Sequence, residues 1–169
     1  TGSPLAEESF KYVYSNIKRD VHLASIAGGT DLVGCLVLGN LFTNVFKGEI
    51  QGQSLGIDVD VFTNEGKSTK DGDKGELVVK KPFPSMPVKF WGDNDGQKYH
   101  QAYFTRFENI YHHGDFIERT SNNGFIMRGR SDATLNPGGV RIGTSEIYQQ
   151  VEDIDYITEG LVVGQDFND

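Results

Sequence analysis

Four clusters carry side chains able to handle an anionic or hydroxylated ligand. The first is Gly28-Gly29-Thr30-Asp31. Paired glycines let a ligand approach the backbone, a threonine hydroxyl can meet a phosphate, and an aspartate can hold a magnesium ion. A strand-ending turn in which Thr30 or Asp31 caps a helix fits the same four residues. The second is Tyr111-His112-His113-Gly114-Asp115. Adjacent side chains on a strand point to opposite faces, so His112 and His113 are not expected to converge on one metal ion. Asp115 suits a vicinal diol better, because an ionised carboxylate accepts hydrogen bonds at two oxygens. Gly129-Arg130-Ser131-Asp132 and Asn136-Pro137-Gly138-Gly139-Val140-Arg141-Ile142-Gly143 each set an arginine among glycines. A rigid guanidinium fork fits phosphate or ribose oxygens, and it fits a neighbouring carboxylate at a turn equally well. The Gly-x4-Gly-Lys-Ser/Thr and Gly-x-Gly-x-x-Gly phosphate loops are absent from the sequence.

The elements that must position these clusters are short. Phe10, Val13, Tyr14 and Ile17 recur at helical spacing and predict an amphipathic helix over 5–19, with Pro4 in its first turn and Ser3 as cap. Alternation over 21–27 predicts a strand that stops at Gly28. From about residue 48 strands and turns dominate: 57–62, 75–80, and a hairpin of 116–119 with 125–128 around Ser121-Asn122-Asn123-Gly124. Trp91, Tyr99, Tyr103, Phe104 and Phe107 are expected in the core. A helix is predicted from Thr144 or Ser145, with Ile147, Val151 and Ile154 on one face, and a last strand over 160–163. The run Asn136 to Gly139 breaks both periods, which makes 132–139 the expected hinge.

Composition narrows the function. The chain has 169 residues, the length of one ordinary domain, and a formal net charge of −8. That charge argues against nucleic acid as a partner, since such modules carry a basic stripe. Glycine supplies 21 residues, above the usual ~7%. With Cys35 alone, an internal disulfide or multi-thiolate zinc site is excluded, and a reducing compartment is the simpler setting. No apolar run is long enough for a membrane span.

Singly these clusters are common; their order is specific. Gly2-Ser3-Pro4, Gly28-Gly29-Thr30-Asp31, Gly75-Glu76-Leu77, His113-Gly114-Asp115, Gly129-Arg130-Ser131-Asp132 and the run from Gly139 to Ile147 together resemble the adenylate-forming acyl-CoA synthetases. Gly48-Glu49-Ile50-Gln51, Lys81-Pro82-Phe83-Pro84 and Leu135 to Arg141 are similar to the acetoacetyl-CoA synthetase branch rather than to acetyl-CoA synthetases. The resemblance covers essentially the whole chain.

It implies an α+β (mixed α/β) fold. Residues 1–131 would be a β-rich, distorted-barrel-like end of the large adenylating domain, and 132–169 a hinge and the start of the small C-terminal α+β domain. It further implies a cytosolic ligase that joins acetoacetate to coenzyme A through an acyl-adenylate. ATP and Mg2+ would be used, AMP and pyrophosphate released, and the product fed to lipid synthesis. Gly2, Ser3 and Pro4 would lie at the adenine side, Gly28 and Gly29 near the adenine and acyl carbonyl, and Thr30 at the adenylate phosphate. Asp31 stands in place of a magnesium-binding glutamate one methylene longer. Asp115 would grip the ribose hydroxyls with Arg130 beside it, Asp132 would be the hinge, and Gly139 and Arg141 would face coenzyme A after the small domain rotates. The family's phosphate loop and adenylation lysine have no counterpart in these residues, so the segment alone is expected to be inactive. Another acyl-CoA synthetase, or a non-catalytic segment binding a nucleotide or protein, are the competing readings; oligomeric state is not legible.

Overall fold

The computed structural model describes residues 4–137, 140–152, 154 and 156–165. Helix α1 (Glu7–Tyr12) places two acidic residues in its first turn, where the helix dipole favours them, and buries Phe10. It continues as one wider turn over Val13–Ile17. The helix is therefore shorter than the periodicity predicts: Ala6 occupies the cap position and Pro4 lies outside. The wide turn shifts the helical phase, which leaves Ile17 mostly exposed although its spacing matches the apolar face.

Strands β1 (Ala27–Gly29), β2 (Gly34–Leu38) and β3 (Gly52–Gln53) form one antiparallel sheet in that order. Residues 21–26 alternate in exposure as a strand would, yet they join neither sheet. The second sheet is an antiparallel meander of β4 (Val59–Phe62), β5 (Lys74–Val79), β6 (Tyr111–Arg119) and β7 (Phe125–Arg130). The β6–β7 hairpin turns where the sequence predicts, and Asn123 takes the left-handed conformation that asparagine tolerates. A reciprocal backbone pair between Ile50 and Phe125 ties β7 to the stretch leading into β3. Leu36, Val37, Val61, Leu77, Val79, Tyr111 and Ile117 fill the shared core.

The mixed α+β class is as expected, with a correction. The described residues form two antiparallel sheets, and no barrel closes, because β1 and β3 remain edges of a three-stranded sheet. Helix α2 (Gln97–Tyr103) lies in the long β5–β6 connection and stacks Tyr103 on Tyr111. The expected aromatic core includes Tyr103 and Phe107 but not Trp91, which is fully exposed. Its neighbour Phe90 takes the inward place against Tyr99 and Tyr103.

After β7 a single tight turn (Ser131–Ala133) leads to a two-residue bridge between Leu135 and Ile142. Helix α3 (Thr144–Glu152) follows, its start closed by Glu146 accepting from the Gly143 N–H at 2.8 Å. Ile154 falls beyond its end, and 160–163 form no strand; there Val162 N–H donates to the Tyr148 hydroxyl. No helix among the described residues is long and apolar enough to cross a membrane.

Candidate functional site

The β1–β2 hairpin carries the first cluster. Gly28 and Gly29 lie within β1, not after a strand, and Thr30 and Asp31 form the exposed tip. No helix follows, so neither residue is a helix cap. A side chain at Gly28 would collide with the Gly34 carbonyl and Cys35 Cα, so the tight pairing itself demands glycine. A Cβ on Gly29 would stand 3.0 Å from His113 Cε1, which places the hairpin directly over β6.

Beneath that tip runs a line of polar side chains. The Tyr103 hydroxyl donates to Asp31 Oδ2 at 2.5 Å, and Tyr111 lies 3.5 Å from the same oxygen. Tyr111 also stands 3.5 Å from His113 Nδ1, and His113 Nε2 stands 3.5 Å from Asp115 Oδ2. Burial and then the negative Asp31 raise the Tyr111 phenol, and burial with the Asp31 bond raises that of Tyr103. Both remain hydroxyl donors at neutral pH. Burial tends to raise Asp31, but the Tyr103 bond and the His113 ring outweigh it and leave its carboxyl below the ordinary range.

Asp115 and Arg130 are brought together as cross-strand partners of β6 and β7. Arg130 NH1 donates to Asp115 Oδ1 at 3.1 Å and to the His113 carbonyl at 3.2 Å. Gly114 makes this possible: its φ is +85°, and the guanidinium lies where a Cβ would project, 2.7 Å away. Asp115 is buried, and burial pushes its carboxyl up despite His113 and Arg130. Among the described residues its Oδ2 has only the long His113 contact, so it keeps capacity to accept from a ligand hydroxyl.

His112 and His113 do diverge. His112 Nε2 faces Glu76 Oε2 at 2.8 Å, on the opposite face from Asp115. Glu76 is a residue to which the sequence reading gave no role. The signal was available: an acidic side chain inside Gly75-Glu76-Leu77-Val78-Val79 must be buried with the strand, and a buried charge needs partners. Arg141 NH1 donates to Glu76 Oε1 at 2.6 Å and stacks on Phe116, 4.2 Å from the ring centre. Asp132 is mostly exposed and lies 3.7 Å from Arg130 Nε. Pro4 lines a separate cavity of about 50 Å³ with Ser25, Gly48, Ile50, Met127 and Gln149. Gly2, Ser3 and Gly139 lie outside the described residues.

Over its full length the chain is 60% identical to an acetoacetyl-coenzyme A synthetase of Rhizobium meliloti, covering 26% of that protein. Against the acetoacetyl-CoA synthetase of Danio rerio it is 48% identical over 98% of its length. The chain is homologous to a segment of the acetoacetyl-CoA synthetases. It spans about a quarter of the length of these relatives. The solved acetoacetyl-CoA synthetase from Streptomyces lividans superimposes on 96% of the chain with a TM-score of 0.85 and 39% identity, again over 25% of the larger protein. An anthranilate CoA ligase, solved with anthranoyl-AMP, shares the fold at a TM-score of 0.70 and 18% identity. No protein-family profile matches the chain.

Magnesium can be weighed against the residues themselves. Asp31 is exposed and ionised, but its Oδ2 is shared with Tyr103, and no group of three or more His, Cys, Asp or Glu suited to a metal occurs among the described residues. Asp31 fits as one protein ligand to an ion held chiefly by substrate phosphates, the usual situation for Mg2+.

Proposed function

We propose that this chain is part of an ATP-dependent acid–CoA ligase that converts acetoacetate to acetoacetyl-CoA through an acyl-adenylate, acting in the cytosol. The supporting observation is the 60% identity with an acetoacetyl-coenzyme A synthetase, sustained along the whole chain. In this reading residues 1–131 close the large domain and 132–169 cross the hinge at Asp132 into the small one.

Each residue then has a task. Asp115 accepts from the ribose hydroxyls of ATP, and Arg130 holds that carboxylate oriented while offering its remaining N–H groups to ribose or phosphate oxygens. Gly28 and Gly29 bring backbone against the adenine and the acyl carbonyl, where a side chain would intrude. The Thr30 hydroxyl reaches the adenylate phosphate. Adenylation drives a carboxylate against an anionic phosphate, so alignment and charge neutralisation dominate its barrier. Bound Mg2+ would supply such neutralisation, with Asp31 as one ligand. Gly2, Ser3 and Pro4 border the adenine. Thioester formation needs different groups, and rotation at Asp132 brings Gly139 and Arg141 toward coenzyme A.

Acetoacetate-dependent exchange of pyrophosphate into ATP by the full-length protein tests this. Exchange with acetoacetate is the expected result. Exchange with another acid only would overturn the substrate, and no exchange with any short or medium acid would overturn the class.

A further inference from the structure

Glu76 is fully buried in the middle of β5, and four segments converge on its carboxylate. Oε1 accepts from Arg141 NH1 at 2.6 Å and pairs with Arg106 NH2 at 3.1 Å. Oε2 faces His112 Nε2 at 2.8 Å and accepts from the Ser131 hydroxyl. Two of these donors belong to the sheet side: His112 on β6, and Arg106, which follows α2 and is also held by Asn64 at 3.0 Å. The other two, Ser131 and Arg141, flank the 132–140 stretch. Between them Asp132, Ala133, Asn136, Pro137 and Val140 are exposed. One carboxylate thus fastens both Ser131 and Arg141, with several exposed residues among those described between them.

We propose that Glu76 is a positioning residue for the adenylation step: by holding Ser131 and Arg141 it fixes one orientation of the segment around Asp132, and release of Arg141 accompanies rotation toward coenzyme A. This rests on the ligase reading above, specifically on Asp132 as hinge. The arrangement can switch without a large penalty. When Arg141 and Ser131 leave, Arg106 and His112 still satisfy the carboxylate, so no buried charge is orphaned. Arg141 in turn exchanges an ion pair and an aromatic face for an anionic ligand. The Leu135–Ile142 bridge lets the loop bearing Arg141 move as a unit rather than unravel.

The test uses the full-length protein and Glu76→Gln, which keeps size but removes the charge. Cleavage by a protease within 132–143 should speed up about tenfold, the effect of weakening one charge-assisted hydrogen bond. Acetoacetate-dependent pyrophosphate exchange should fall about tenfold or more, while thioester formation from supplied acetoacetyl-adenylate changes less than about threefold. Ser131→Ala should act in the same direction but less, and the double variant should be no worse than Glu76→Gln alone, since both remove one coupling. Unchanged cleavage with a retained fold, or equal loss of both half-reactions, overturns the proposal. If Glu76→Gln does not fold, cleavage in Ser131→Ala decides: no acceleration overturns it. Should the unaltered protein show no exchange, the ligase reading fails, and the cleavage measurements still judge the fastening itself.

Discussion

Two carboxylates on neighbouring strands of one sheet are held in opposite ways. Glu76 on β5 is surrounded by four donors, and although burial opposes its charge, His112, Ser131, Arg141 and Arg106 bring its carboxyl down from 4.5 to about 2. Asp115 on β6 is buried as well, but it has one guanidinium at 3.1 Å and a histidine at 3.5 Å, and burial prevails so that its carboxyl rises. A carboxylate whose acceptor sites are filled by the protein serves the protein's own geometry. One left short of donors keeps affinity for a ligand that brings them. Depth in the fold alone does not separate a positioning group from a binding group; the count of donors does.

Acid titration gives the largest separation between them. A carboxyl lowered in the folded state adds stability that is complete above its unfolded value and lost as pH falls through its folded value. The stability gap between the unaltered chain and Glu76→Gln should therefore be about 3 kcal/mol at pH 7 and vanish between about pH 4.5 and 2 in urea titrations. For Asp115→Asn the sign reverses. A raised carboxyl is a liability at neutral pH that acid relieves, so this variant should be as stable as the unaltered chain or more so at pH 7. A large loss of stability on Asp115→Asn would erase the distinction drawn here.

Ligand affinity gives the next. Asp115→Asn in the full-length protein should weaken AMP binding about tenfold or more by calorimetry, the cost of losing a charged acceptor, with little change in thermal midpoint. Tyr103→Phe gives the smallest effect and adds a third carboxylate to the series. Loss of its bond to Asp31 should cost about 1 kcal/mol and let the Asp31 carboxyl rise toward 3.8, read by carbon-detected NMR titration.

Local pattern was enough for some of this architecture. The β6–β7 turn and the divergence of His112 and His113 follow from alternation and one hairpin, because the partners are near in sequence. The meeting of Asp115 with Arg130 needs in addition the bulge between Phe116 and Ile117, which alternation does not show. The Glu76 cluster gathers residues 30 to 65 positions away, and Tyr103 reaches Asp31 across 72. Periodicity says which face a residue occupies, but not which distant segment covers that face. The same limit explains 21–26, where alternation occurs without a partner strand. It explains Trp91 too: hydrophobicity argued for the core, and only tertiary competition from Phe90 decides otherwise.

That exposed indole has a practical consequence. Trp91 is the single tryptophan, and in the folded chain it already meets water. Its emission is then nearly blind to unfolding of this segment, and folding is better followed through the stacked Tyr103–Tyr111 pair in near-ultraviolet dichroism. In a longer protein engineered to keep Trp91 as its single tryptophan, a blue-shifted emission would report whether another part of the molecule covers that face.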